Sequence, residues 1–232
     1  MASGSLDDYR RKRDFGRTPE PAGRALGRDP SKLQFVIHRH EARNLHYDLR
    51  LQVDDAHLVS FAVPKGFDYQ PKTKKLAIHT EDHPLEYVDF HGVIPRGEYG
   101  GGTMTIWDRG TFDVLEPASV RSGVEEGKLE VRLYGRRLRG EWHMVRTRGG
   151  TDVAMAESRH WLLFKAKDCY AATGDLPAVA ADLSAAPWGP LPKRRQWMLP
   201  TIASAVSGIR ARASRSRTMG NSRSVRKGAC GL

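Results

Sequence analysis

Cysteine is nearly absent from this chain. The two cysteines in 232 residues, Cys169 and Cys230, lie far apart, a spacing that supplies neither a disulfide framework nor a zinc knuckle and leads us to expect a reducing cytosolic setting. Long apolar runs are missing too. No stretch approaches membrane length and the N-terminus lacks a signal-peptide core, so a soluble intracellular protein with no membrane partner is expected. Acidic residues are in short supply, 27 Asp+Glu against 38 Lys+Arg, for a formal net charge of +11. Such a balance concentrates and steers polyanions, which points to nucleic acid. The imbalance is uneven: from Lys193 onward ten basic residues meet no acidic one. With Ser and Ala between them, they read as a disordered polycationic tail.

The chain has room for one domain of about 150 residues with a proper core, plus tails. Its most informative stretch runs from Leu33 to Val53. Phe35-Val36-Ile37 is β-rich and leads to His40, Glu41 to Asn44 carries turn chemistry, and Leu45 to Val53 alternates between apolar and polar. This pattern predicts a hairpin. On its second strand Leu45, Tyr47, Leu49 and Leu51 share one face and leave His46, Asp48 and Arg50 on the other. If His40 faces His46 across the turn, two imidazoles and a carboxylate make a three-ligand set for a divalent metal with open positions. Arg50 then sits beside it as a permanently charged anion clamp. A half-exposed antiparallel strand with ordinary polar residues outward is the plainer reading of the same pattern.

Further strands are predicted at Leu58–Val63, Lys74–His79, Thr103–Trp107, Leu129–Tyr134, Gly140–Val145 and Trp161–Lys165, with a turn at Gly110-Thr111. Short strands spaced by turns imply a mainly β protein, a compact antiparallel β-barrel with little helix. Pro84 restricts His83 to extended backbone and presents its imidazole from a loop. GEYGGGT at 97–103 lacks the Lys-Ser/Thr and the strand-to-helix context of a phosphate loop, so tight turns explain it better. The expected organisation is an N-terminal arm over 1–30, the barrel over 31–170 and the basic tail over 171–232.

The runs IHRHEARNLHYDLRL at 37–51, AVPKG at 62–66, HTEDHPLEY at 79–87 and GVIPRGEYGGGTMTIWDRGTF at 92–112 resemble, in order, the 3′-phosphoesterase module of bacterial DNA ligase D. The likeness runs from Tyr9 to Tyr170. It implies a β-barrel enzyme that acts on DNA 3′ ends with Mn2+ or another divalent ion. A phosphodiesterase step removes a 3′-terminal ribonucleoside, and a phosphomonoesterase step then removes the 3′-phosphate to leave a 3′-OH for end joining. The resemblance implies His40, His46 and Asp48 as metal ligands, with Arg50, His83 and Tyr87 contacting phosphate and His83 the better donor to the transition state. It also implies that the N-terminal arm folds over the site, bringing Arg13, Asp14 and Glu20, and that Lys65 serves the same region. Two positions depart from the family pattern. Lys75 stands where Arg is usual, which weakens any bidentate phosphate contact. His38 stands where Gln is frequent and is either a neutral hydrogen-bonding substitute or a further titrating group. His57, His79, His91, His143 and His160 match no family position and are expected to be structural or exposed.

No K-x-D-G adenylation signature is present, so nick sealing would fall to a separate DNA ligase, with an end-binding protein as a further partner. A cytoplasmic, nucleoid-associated location follows. Two other readings fit parts of the pattern. His46-x-Asp48 with a distant histidine also resembles the facial triad of non-haem iron oxygenases, against which Arg50, Lys65 and the basic tail argue. A non-catalytic DNA-end-binding module would keep the same ligand positions.

Overall fold

The computed structural model describes residues 6–24, 32–147 and 158–172. The tail expected from residue 171 therefore lies outside the described residues, apart from Ala171 and Ala172. A short helix, α1 (Asp7–Arg11), is followed by β1 (Gln34–Glu41), β2 (Leu45–Gln52), β3 (His57–Val63), β4 (Lys75–His79) and the two-residue β5 (His83–Pro84). After a 3-10 turn at Leu85–Val88 come β6 (Gly92–Ile94), β7 (Gly102–Glu116), α2 (Val120–Glu126), β8 (Lys128–Tyr134), β9 (Arg139–Arg146) and β10 (His160–Lys165). Pairing runs β1-β2-β3-β4-β10-β9-β8-β7, and β7 returns to β1, so the antiparallel sheet closes on itself. β6 extends from β7, and β5 pairs with β3 outside the ring. The expected mainly β barrel with little helix is the observed fold.

Strand alternation accounts for closure. Phe35 and Ile37 of β1, Leu49 and Leu51 of β2, and Val59 and Phe61 of β3 point inward and meet Trp142 and Trp161 in one buried core. The intervening residues of β1 to β3 point outward, and around Asp48 they do not form the half-exposed face of the plainer reading. His38 is 0% exposed, Asp48 7% and Arg50 3%. A second apolar cluster covers this outer wall, with Leu6 and Tyr9 from the N-terminal arm packed on Val36, Leu58, Leu85 and Tyr87. Burial of a Leu-sized side chain contributes about 1.5–3 kcal/mol, enough to hold a short arm against the barrel.

Two local expectations are corrected. Gly110-Thr111 is no turn but lies inside β7, a strand of 15 residues. A Cβ on Gly110 would sit 2.2 Å from the carbonyl oxygen of Tyr134, so the glycine marks close backbone approach, a use of glycine that reads like a turn. Helix α2 was not anticipated; Ser119 and Ser122 cap it reciprocally, serine replacing the usual Glu or Gln of that motif. Of the two cysteines, Cys230 lies outside the described residues. Among the described residues no helix is long and apolar enough to cross a membrane.

Candidate metal centre and phosphate cleft

The β1–β2 register places His40 opposite His46 and His38 opposite Asp48. The two imidazole centroids are 4.7 Å apart. Each ring is oriented by a backbone carbonyl: Nε2 of His40 donates to Gly100 O at 2.9 Å, and Nδ1 of His46 donates to Asn44 O at 2.9 Å. Since a carbonyl only accepts, these bonds fix the tautomers and leave His40 Nδ1 and His46 Nε2 as lone pairs. Both lone pairs face one carboxylate, Nδ1 of His40 at 3.6 Å from Asp48 Oδ2 and Nε2 of His46 at 3.4 Å from Asp48 Oδ1. His40 Nδ1 is buried with no hydrogen-bond partner. Lone pairs converging on an anion repel unless a cation lies among them. The three ligand atoms lie within 4.8 Å of one another, so this donor set fits a divalent ion, two nitrogens and an oxygen with positions left open.

Arg50 borders the triad. Its Nη2 donates to Asp48 Oδ2 at 3.0 Å, its Nη1 to Ser60 Oγ at 2.9 Å, and its Nε to His38 Nδ1 at 3.4 Å. Burial alone would raise the Asp48 pKa, but the Arg50 guanidinium beside it outweighs burial and holds the carboxyl well below the usual carboxylate range. His38 is pushed down to about 3, chiefly by burial and then by Arg50. Its Nε2 meets Phe90 O at 3.0 Å, so one neutral tautomer donates there and accepts from Arg50. Of the two roles open to His38, this geometry supports the neutral one.

The arm supplies a second guanidinium. Arg13 donates through Nε to Glu20 Oε1 at 2.7 Å and through Nη1 to Glu81 Oε1 at 3.3 Å, and its Nη2 lies 3.3 Å from His83 Nε2. Guanidinium cannot accept, so His83 Nε2 accepts there and its Nδ1–H goes to Glu81 O at 2.9 Å. Burial, then Arg50 and Arg13, push the His83 pKa well below the imidazole range. The donor role read for His83 thus meets an environment that keeps its Nε2 a lone pair. Together these groups line a cleft of about 170 Å³, whose wall includes Arg13, Glu20, His40, His46, Asp48, Arg50, Glu81, His83, Tyr87 and Tyr99.

A family model for the DNA ligase D 3′-phosphoesterase domain matches residues 38–146. That span runs from His38 through the triad, Arg50, His83 and Tyr87, and ends at the close of β9. The barrel belongs to the DNA ligase D 3′-phosphoesterase domain family. Among its relatives, the multifunctional non-homologous end joining protein LigD of Pseudomonas aeruginosa is 45% identical over 168 residues, 72% of this chain and 19% of that protein. The LigD of Mycolicibacterium smegmatis is 39% identical over 198 residues, 83% of this chain and 24% of that protein. The multifunctional non-homologous end joining DNA repair protein LigD of Mycobacterium tuberculosis is 46% identical over 149 residues, 64% of this chain and 19% of that protein. The chain therefore spans about a fifth to a quarter of the length of these relatives.

Within this phosphoesterase-family barrel, the residues singled out in the sequence divide into three groups. Arg13, Glu20, His40, His46, Asp48, Arg50, His83 and Tyr87 share the cleft. His38 stands behind it and acts through Arg50. Asp14, Lys65 and Lys75 do not line it: Asp14 is exposed and accepts from Gly16 N at 3.0 Å, Lys65 is exposed in the turn after β3, and Lys75 lies 3.8 Å from Asp68. Glu20 spends its oxygens on the arm, one on Arg13 and the Tyr87 hydroxyl, the other on Thr18 Oγ1 at 2.8 Å. It fastens the arm. Sequence reading missed Glu81, Ser60 and Tyr99. Ser60 carried a signal, a lone hydroxyl in the apolar run LVSFAV, and it pairs across the sheet with Arg50.

Proposed function

We propose that this chain is a metal-dependent DNA 3′-end phosphoesterase, removing a 3′-terminal ribonucleoside and then the 3′-phosphate to leave a 3′-OH for end joining. The observation that carries the reading is the convergence of two imidazole lone pairs on Asp48 beside the Arg50 and Arg13 guanidiniums. His40, His46 and Asp48 would hold the ion, Mn2+ by family resemblance; once bound, it supplies Lewis acidity and offsets charge on a phosphoryl group. Arg50, fixed by Ser60, His38 and Asp48 and with its Cζ 4.8 Å from the Tyr87 ring centroid, presents a preorganised guanidinium to the equatorial oxygens. Arg13 adds a second charge from the N-terminal arm. His83, neutral and proton-bearing at Nδ1, directs its Nε2 lone pair at Arg13 and helps to hold that guanidinium at the cleft.

The relatives named as end joining proteins support DNA ends as the substrate class, and the basic segment beyond Lys193 supports electrostatic tracking of the backbone. A DNA ligase activity and an end-binding protein are the partners this assigns, in the cytoplasm at the nucleoid. The test is release of ribonucleoside and of phosphate from primer-templates ending in a 3′-ribonucleotide or a 3′-phosphate, with Mn2+ and with chelator. Mn2+-dependent turnover of both is expected. Binding of these ends without turnover would leave a non-catalytic end-binding module.

A further inference from the structure

His40, His46, Asp48 and Arg50 line a cleft of about 170 Å³ that opens to solvent, and a phosphate seated among them carries its nucleoside towards the cleft mouth. The aromatic side chain there is Tyr99, 48% exposed and part of the cleft wall.

Tyr99 is not a loose surface ring. It sits in consecutive turns between β6 and β7, closed by Glu98 N to Pro95 O at 3.2 Å and Gly101 N to Glu98 O at 3.0 Å. The following residue, Gly100, has a φ of 76° and carries the carbonyl that orients His40. The ring is therefore one residue from the metal centre's own support. From the arm side, Lys12 Nζ lies 4.8 Å and Arg13 Cζ 5.3 Å from its centroid, and the hydroxyl is 3.4 Å from Glu81 Oε2. An exposed ring held in advance, beside a cleft that carries the Arg13 and Arg50 guanidiniums, has the properties of a base-stacking platform.

We propose that Tyr99 stacks on the nucleobase next to the phosphate seated in the cleft and sets the register of the DNA 3′ end against the metal site. The proposal rests on the phosphoesterase reading above and names a positioning residue for it. Stacking tolerates every base, so it supplies end affinity without sequence preference.

The experiment compares Tyr99→Leu, Tyr99→Phe and Tyr99→Trp on fluorescein-labelled primer-templates ending in a 3′-ribonucleotide or a 3′-phosphate. Matched versions carry an abasic sugar beside the scissile phosphate. Tyr99→Leu is expected to raise KM about 5- to 100-fold, the range set by base–aromatic stacking, with kcat nearly unchanged, while Tyr99→Phe and Tyr99→Trp restore it. On abasic ends Tyr99→Leu should add no further loss. A defect on both substrates puts the ring under the base that keeps the phosphate; one confined to the ribonucleotide end puts it under the departing nucleoside. Equal loss on abasic and base-bearing ends, or equal loss in Tyr99→Phe and Tyr99→Leu, would make the residue a brace for the arm and overturn the proposal. If the wild type turns over neither substrate, the function reading fails. Anisotropy titration of the same DNAs then still decides whether the ring binds a base.

Discussion

Replacing Glu20 by Ala should release the N-terminal arm without unfolding the barrel. The Arg13 and Glu20 side chains are 4% and 1% exposed and meet at 2.7 Å. Removing one partner of a buried ion pair costs about 3–5 kcal/mol, mostly because the other charge is left uncompensated. Here the low end applies, since Arg13 keeps Glu81 at 3.3 Å. Hydrogen bonds from Thr18 and Tyr87 go as well. The Arg13 and Thr18 contacts lie within the arm, the Tyr87 hydroxyl ties the arm to the outer wall, and none takes part in ring closure, so the loss falls on local arm opening. About 3 kcal/mol corresponds to a roughly hundred-fold fall in exchange protection for arm amides such as Thr18 N, bonded to Asp14 O, and Arg10 N, bonded to Leu6 O. Native-state hydrogen exchange by NMR reads this directly, with β1 and β2 amides as internal controls. Unchanged protection in the arm, or an equal fall across β1 and β2, would show that Glu20 does not clamp the arm as argued.

Three other perturbations follow from the same structure. His46→Ala should abolish high-affinity Mn2+ binding in calorimetry while leaving the circular dichroism of the barrel intact; retained binding would remove His46 from the ligand set. The folded pKa values of His38, His79 and His83 are all depressed, to about 3, to about 4 and well below 6.5, burial being the first cause of each. The unfolded chain therefore takes up these protons first, so their contribution is complete above pH ~6.5 and drains away as pH falls towards 4. Each histidine adds about 1 kcal/mol per pH unit to the slope in that window. Urea denaturation in chelator between pH 7 and 5 should show it, and a flat profile would contradict the burial argument. Gly110→Ala would drive a Cβ to 2.2 Å from the Tyr134 carbonyl; with backbone on both sides, about 3 kcal/mol or more of destabilisation is expected in the same assay.

The hairpin was legible because two independent signals agreed, a β-rich run followed by strict alternation from Leu45 to Val53, and turn residues between them. Once its register is fixed, His40 must face His46 and His38 must face Asp48. The burial of that face was not legible. It depends on Leu6 and Tyr9 meeting Leu58 and Leu85, contacts between segments far apart in sequence that no local pattern encodes. Glu81 was missed for a related reason. In the run Thr80-Glu81-Asp82 it looks like part of a solvated acidic loop, and its value comes from Lys12 and Arg13 arriving from the arm at 3.1 and 3.3 Å. Asp14 and Lys65 were read from resemblance alone, and the structure leaves both at the surface.

The placement of the site follows from the barrel itself. An eight-stranded ring has an interior just wide enough for its side chains, and here Trp142, Trp161, Phe35 and Phe61 fill it. The cleft therefore opens on the outer wall, where strand residues ordinarily face water and charge–charge energies are weak. The arm, the 3-10 turn and the β6–β7 turns change that by covering Asp48, Arg50 and His83 without closing the cleft. Their cover strengthens each electrostatic contact but would strand Arg13 as a buried charge. Glu20 and Glu81 solve that unequally, one at 2.7 Å and the other at 3.3 Å. The tighter pair fixes Arg13 within the arm, and the looser one ties that arm to the barrel beside His83.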